Sequence, residues 1–200
     1  MIEVKFIDKE GNIRSLDEIL ALDSDTGGLA IISHAESEAH HGHSFTVQAV
    51  DDTLADGEKV NIAFKTGGVN PKVHLVANCT TLVGGSLAII EAPTWTQGSG
   101  TATAIINRLR VENPIQSTLL ENDTVVAFTA TNQVLVNVAD LAGGTTLWTR
   151  YSWGERGKVE AGAERASNEF MLKPNTQYAV LFTAIGAANK AQIFLNWMEH

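Results

Sequence analysis

Cysteine is all but missing from this chain, and that removes several structural options. A single cysteine, Cys79, among 200 residues admits no intrachain disulfide and no multi-cysteine metal site. Inside a strand-like run it reads as a small, buried apolar residue. Positive charge is also scarce. Fourteen Lys and Arg against 23 Asp and Glu give a formal net charge of -9, which opposes a sequence-independent grip on a phosphate backbone, so nucleic acid is not an expected partner. No apolar run reaches the roughly 18 residues that a membrane span requires. The opening stretch, residues 1–10, is acidic where a secretory signal needs a positive and then an apolar region. The expectation is a protein made in a cytoplasm and not inserted in a membrane. Catalytic signatures are missing too: there is no Gly-x-Ser-x-Gly elbow, no Walker loop and no HExxH, and Gly98-Ser99-Gly100 lacks the strand-to-helix context of a dinucleotide fingerprint. Neither enzymatic activity nor a cofactor is expected.

What the chain does have is alternation. Residues Ile2–Ile7 alternate as a strand, Gly11-Asn12 breaks it, and Ser15-Leu16-Asp17-Glu18 reads as a capping box opening a short helix over Leu16–Leu22. Residues 1–27 are therefore expected to form a helix-bearing N-terminal arm. From Gly28 onward strands dominate: Leu29–Ser33, Ser44–Val50, Lys59–Lys65, Val73–Thr80, Leu87–Glu91, Val125–Thr131, Thr145–Tyr151, Glu169–Leu172, Tyr178–Ala184 and Ala191–Trp197. Asp56-Gly57, Gly67-Gly68, Gly84-Gly85 and Gly143-Gly144 punctuate them. Short strands, glycine turns and no regular intervening helices predict an all-β antiparallel β-sandwich or jelly roll over residues 28–200. The hydrophobic fraction of 44% with 18% charged residues suits such a core. Between Gly98 and Thr103 the residues are too small to build a core. Residues 102–111 carry Ile105, Ile106 and Leu109 at helical spacing, so a partner-facing linker and a short helix are both open readings there.

Three groups of residues invite chemistry. His34, Glu36, Glu38, His40, His41 and His43 are all types that can ligate a divalent ion. On a strand, however, His41 and His43 face one side and His40 the other, so the spacing suits a polar turn entering the Phe45 strand better than a closed metal site. Glu36 and Glu38 could pair for glycoside hydrolysis only if one were desolvated in a cleft. Trp95, Trp148, Trp153 and Trp197 could form a sugar-stacking platform, although large aromatics in β-sandwiches usually serve the core or an interface.

Three separated segments together resemble a family of tailed-bacteriophage virion proteins of the capsid decoration, or cement, type. They are Glu38-Ala39-His40-His41-Gly42-His43-Ser44-Phe45, then Gly98 to Arg110 ending in Asn107-Arg108-Leu109-Arg110, and Glu169 to Tyr178 with the closing Trp197-Met198-Glu199-His200. Met198 stands where the family usually has tyrosine, Leu109 interrupts a more polar run, and the first 30 residues have no counterpart. The resemblance implies a non-catalytic β-sandwich on the outside of a virion head, bound to the major capsid protein and self-associating, with a homotrimer as the expected arrangement. The candidate interface residues are then Asn107, Arg108, Arg110, Trp197, Glu199 and His200. A host-binding fibre module that recognises carbohydrate is the alternative, and a metal-dependent hydrolase built on the histidines is the third reading.

Overall fold

The structure is a computed structural model and describes residues 5–7, 13–15, 39–68, 71–96, 98–112, 114–119, 133–153 and 169–200. Two compact units divide the chain, Met1–Ser37 and Glu38–His200. In the first, β1 (Lys5–Ile7) and β2 (Ile13–Ser15) pair antiparallel, with Phe6 opposite Arg14. The helix expected over Leu16–Leu22 and the strands expected at Leu29–Ser33 and Val125–Thr131 lie outside the described residues.

The second unit is all-β. Its strands are β3 (Ser44–Leu54), β4 (Lys59–Lys65), β5 (Val73–Thr81), β6 (Gly84–Glu91), β7 (Thr101–Ala104), β8 (Ile106–Asn107), β9 (Gln133–Val136), β10 (Thr145–Trp153), β11 (Glu169–Met171), β12 (Gln177–Ala184) and β13 (Asn189–Glu199). They form two antiparallel sheets, a six-stranded one ordered β10-β6-β12-β4-β9-β7 and a five-stranded one ordered β11-β5-β13-β3-β8. The turns from β3 to β4, β5 to β6 and β12 to β13 each cross from one sheet to the other, so partners within a sheet come from distant parts of the chain. Among the described residues no helix is long and apolar enough to cross a membrane.

Period-two alternation decides which side of each strand is dry. Phe45, Val47 and Ala49 of β3, Leu75 and Ala77 of β5, and Ile193, Leu195 and Trp197 of β13 share one core with Val60, Ile62 and Phe64 of β4, Leu87 and Ile89 of β6, and Tyr178, Val180 and Phe182 of β12. Each of the large side chains here stabilises the fold by about 1.5–3 kcal/mol through burial. A second, smaller cluster sits on the other side of the six-stranded sheet. There Ala63 and Ala179 leave room for Trp95 and Leu141, which lie on loops joined by the Thr94–Ala142 bridge.

Two local expectations are corrected. Residues 98–107 form neither a loose linker nor a helix. The chain runs as β7 in one sheet, passes through the buried Ile105, and continues as β8 in the other, so one segment ties two sheet edges together. Ile105 points into the core and Ile106 is 48% exposed, the up-down alternation of extended chain rather than a helical face. Gly84-Gly85 is not a turn but the start of β6, paired with Trp153 and Ser152. The turn is held instead by Asn189, fully buried, whose Oδ1 accepts from Val83 N and Thr81 Oγ1 (both 2.9 Å) while its Nδ2 donates to Gly84 O (2.7 Å).

Gly85 has no room for a side chain: a Cβ there would press into the Phe182 ring and lie 2.5 Å from the Thr183 carbonyl oxygen. Gly85→Ala is expected to destabilise the protein by about 1–3 kcal/mol, as overpacked cores do. Urea unfolding measures this, and an unchanged midpoint would contradict the packing described.

Candidate functional site

The sequence-chosen residues converge although 90 positions separate them. Strand pairing places Asn107, Phe45, Trp197, Leu75 and Phe170 in one row across all five strands of the β8-edged sheet. This row lies at the end where β13 finishes and β3 begins. Phe45 and Trp197 stack there with ring centroids 5.8 Å apart.

Three of the six candidate interface residues are interior. Asn107 is buried, and its Nδ2 donates to Gly42 O and Ile115 O (both 2.7 Å) while Oδ1 accepts from Leu109 N (2.8 Å). It ties the 39–42 turn and the 114–119 segment to β8. Gly42 is required beside it because φ is +79° and a Cβ would crowd Leu109. Trp197 is fully buried and Glu199 is 4% exposed. The Glu199 carboxylate accepts from Ser117 Oγ (2.5 Å), Thr118 N (2.9 Å) and Trp197 Nε1 (2.9 Å), and Glu199 N donates to His43 O (3.0 Å). These groups clasp segments of their own chain, because a buried carboxylate is tolerated only when donors surround it. Their side chains are interior to the chain itself, which corrects the reading of these three as surface contacts.

The other three are at the surface. Arg108 and Arg110 are exposed, and Ile106, Val111 and Ile115 are 48%, 51% and 51% exposed around them. His200 is exposed, its backbone paired with Lys72 and its ring centroid 4.4 Å from that of His74. His74, which sequence reasoning did not single out, meets Glu169 through Nδ1···Oε1 at 3.1 Å.

Of the histidine cluster, His34, Glu36 and Glu38 lie outside the described residues. His41 and His43 have ring centroids 6.5 Å apart. No group of three or more His, Cys, Asp or Glu among the described residues is placed to hold a metal ion. The three tryptophans whose side chains are described do not share a face. Trp197 is core, Trp148 packs on the core edge against Phe170 (6.4 Å), and Trp95 covers the second cluster. The side chain of Trp153 lies outside the described residues.

Also at this end, Tyr178 OH donates to Glu91 Oε2 (2.9 Å) and accepts from Lys173 N (2.9 Å), while Lys173 Nζ reaches Glu91 Oε1 (2.7 Å). The Lys173 ammonium holds the Glu91 carboxyl below its usual range against an opposing push from burial. Burial, then the neighbouring Glu91 carboxylate, pushes the Tyr178 phenol up to about 12. A shallow cleft nearby, about 170 Å³, is lined by Pro71, Val73, Met171, Leu172 and Pro174. It is smaller than the roughly 300–1,000 Å³ usual for small-molecule sites. No protein-family model matches the chain, and no curated protein or solved structure matches it either.

Glu199→Ala would strand the Trp197 indole and the Ser117 and Thr118 donors in a buried place. A loss of at least about 2 kcal/mol is expected, read by thermal or urea unfolding; a loss near zero would show the clasp to be ornamental. The Glu91–Tyr178 pair makes a pH prediction at both ends. Glu91 has a lowered folded pKa, so its contribution is present above the ordinary glutamate range and is lost as pH falls through the lowered value. Tyr178 has a raised folded pKa, so its contribution is present below pH 10 and is lost toward about 12. In that window stability should fall by roughly 1.4 kcal/mol per pH unit. Tyr178→Phe should remove the alkaline slope, and a slope that persists in that variant would refute the assignment.

Proposed function

We propose that this chain is a structural subunit of a tailed-phage virion, a jelly-roll β-sandwich that decorates and stabilises the capsid by binding the major capsid protein. The observation that carries the reading is the surface at the β8 margin. Two arginines stand among three half-exposed aliphatic side chains, and interfaces enrich arginine and desolvated apolar groups in this way. The segment that bears them is anchored from below by Asn107 and the Glu199 clasp, so the patch is presented on a fixed base. The resemblance of Gly98–Arg110 and the Glu169–Tyr178 stretch to decoration proteins supports the same role.

The mechanism is mass action. A subunit that binds only the assembled shell stabilises it by an amount that grows with occupancy and affinity, without any chemical step. Shell symmetry favours rotationally closed contacts among copies, and a homotrimer fits that constraint. Guanidinium groups suit bidentate pairing with carboxylates, which this acidic chain supplies on neighbouring copies.

Arg108→Ala or Arg110→Ala should weaken particle occupancy or self-association while leaving the isolated fold intact. A desolvated contact would lose about 2–5 kcal/mol on removal of one partner, whereas a solvated pair would lose less than about 1 kcal/mol. Ile106→Asp should have the same effect through the apolar part of the patch. Counting bound copies per particle by cryo-EM checks this; full occupancy in all three variants would sink the proposal, and a particle carrying only a few copies would favour the fibre-module alternative.

A further inference from the structure

A second exposed surface of mixed aliphatic and charged groups lies at the far end of β3 from the arginines. β8 pairs with Phe45 and Thr46 where β3 begins, whereas β3 finishes at Leu54 beside Asn189. The 11 residues of β3 separate the two ends by roughly 30 Å, at about 3.3 Å per residue. At the far end three turns, 55–58, 82–83 and 185–188, lock into one cap. Gly57 N donates to Ala184 O (3.0 Å), Gly186 N to Asp56 Oδ1 (2.7 Å), Ile185 N to Gly84 O (3.1 Å) and Leu82 N to Lys190 O (2.9 Å). The side chains of the cap therefore stand on a fixed backbone.

Leu82, Val83 and Ile185 stand on this cap 38%, 39% and 44% exposed. Asp52, Asp56 and Glu58 are exposed around them and outnumber the neighbouring Lys59 and Lys190. The β8 margin has the same make-up with the sign reversed: Ile106, Val111 and Ile115 are half-exposed, and Arg108 and Arg110 outnumber Glu112. Each surface offers the charge that the other lacks, yet one copy cannot bring its own two ends together across the length of β3. We propose that the cap is the docking surface for the β8 margin of a second copy of this chain, with Arg108 and Arg110 of one copy against Asp56 and Glu58 of the next and the two aliphatic sets packed between them. The inference rests on reading the β8 margin as an interface, and it names what occupies that margin. The aliphatic side chains supply a dry centre, while charges at the rim set orientation and partner choice more than affinity. The minority charges are complementary too, Glu112 on one side and Lys59 and Lys190 on the other. Because the two surfaces differ, the contact is head-to-tail. It closes as a ring of three or more copies or grows as a chain, and it cannot end at a two-fold dimer.

Analytical sedimentation of the full chain, free of particles, tests this over a concentration series in low and high salt. The unsubstituted chain should self-associate, and more weakly in high salt. Arg108→Glu with Arg110→Glu disables the margin, and Val83→Lys with Ile185→Lys disables the cap, so each double variant alone should be monomeric. Mixed, the two should form a one-to-one dimer and nothing larger, because each brings the surface that the other has lost. Asp56→Asn with Glu58→Gln keeps the acceptors of the turn and removes both charges; it should weaken association about tenfold or more, and it stands in for the lysine variant should that fail to fold. A monomeric unsubstituted chain overturns the proposal. So does a cap variant that associates as the unsubstituted chain does, the sign of a margin-to-margin contact, or a mixture that yields no dimer. No capsid takes part, so the outcome is separable from the capsid reading: a monomeric chain whose Arg108 and Arg110 still govern occupancy on particles refutes this inference alone.

Discussion

Strand β13 is hydrogen-bonded on both sides, to β3 and to β5, over most of its eleven residues, and the five-stranded sheet exists only once that strand is in place. Its partners were laid down far earlier in the chain: Phe45 faces Trp197, and Thr46 Oγ1 donates to Leu195 O across 149 positions. Bringing such distant segments together costs loop-closure entropy before any contact returns it. The inward stripe of Ile193, Leu195 and Trp197 offsets that cost only when the second sheet closes over it. The two sheets are therefore one cooperative object, although each is separately hydrogen-bonded.

Buried polar groups do the positioning within this frame. Asn61, Asn107, Asn189 and Glu199 are each nearly or fully buried, and each holds a loop to a strand: Asn61 holds Val138, Asn107 holds Gly42 and Ile115, Asn189 holds the β5–β6 turn, and Glu199 holds Ser117 and Thr118. Each has its hydrogen-bonding capacity turned toward its own chain. The exposed groups are a different set, among them Arg108 and Arg110 with Ile106, Val111 and Ile115.

Much of the local pattern was readable from sequence. The alternation over Lys59–Lys65 coincides with β4 at both ends, and the alternating runs within β3, β5, β6, β10, β12 and β13 fall short of those strands by one to a few residues. The failures have separate physical causes. Strands β7, β8 and β9 are two to four residues long, too short for alternation to register, and the small residues around Thr101 that read as linker fit where the chain edges from one sheet to the other. Gly84-Gly85 resembled a turn because glycine has no side-chain signal, yet Gly85 is required in β6 by the approach of Phe182. Trp197 and Glu199 were read as contacts from the resemblance of the closing Trp197-Met198-Glu199-His200 to a family motif, and a short motif carries no information on burial.

The sequence by itself determined the class of structure. Period-two alternation and a single cysteine are local or compositional facts, and they dictate extended chain with one dry side and no intrachain disulfide framework. Which dry sides meet was decided only in three dimensions, because alternation is the same for every possible partner while register depends on strands more than a hundred residues away. That pairing converted Asn107 and Glu199 from candidate contacts into internal clasps. It also left Arg108 and Arg110 exposed, at the end of the sheet where β8 pairs with β3.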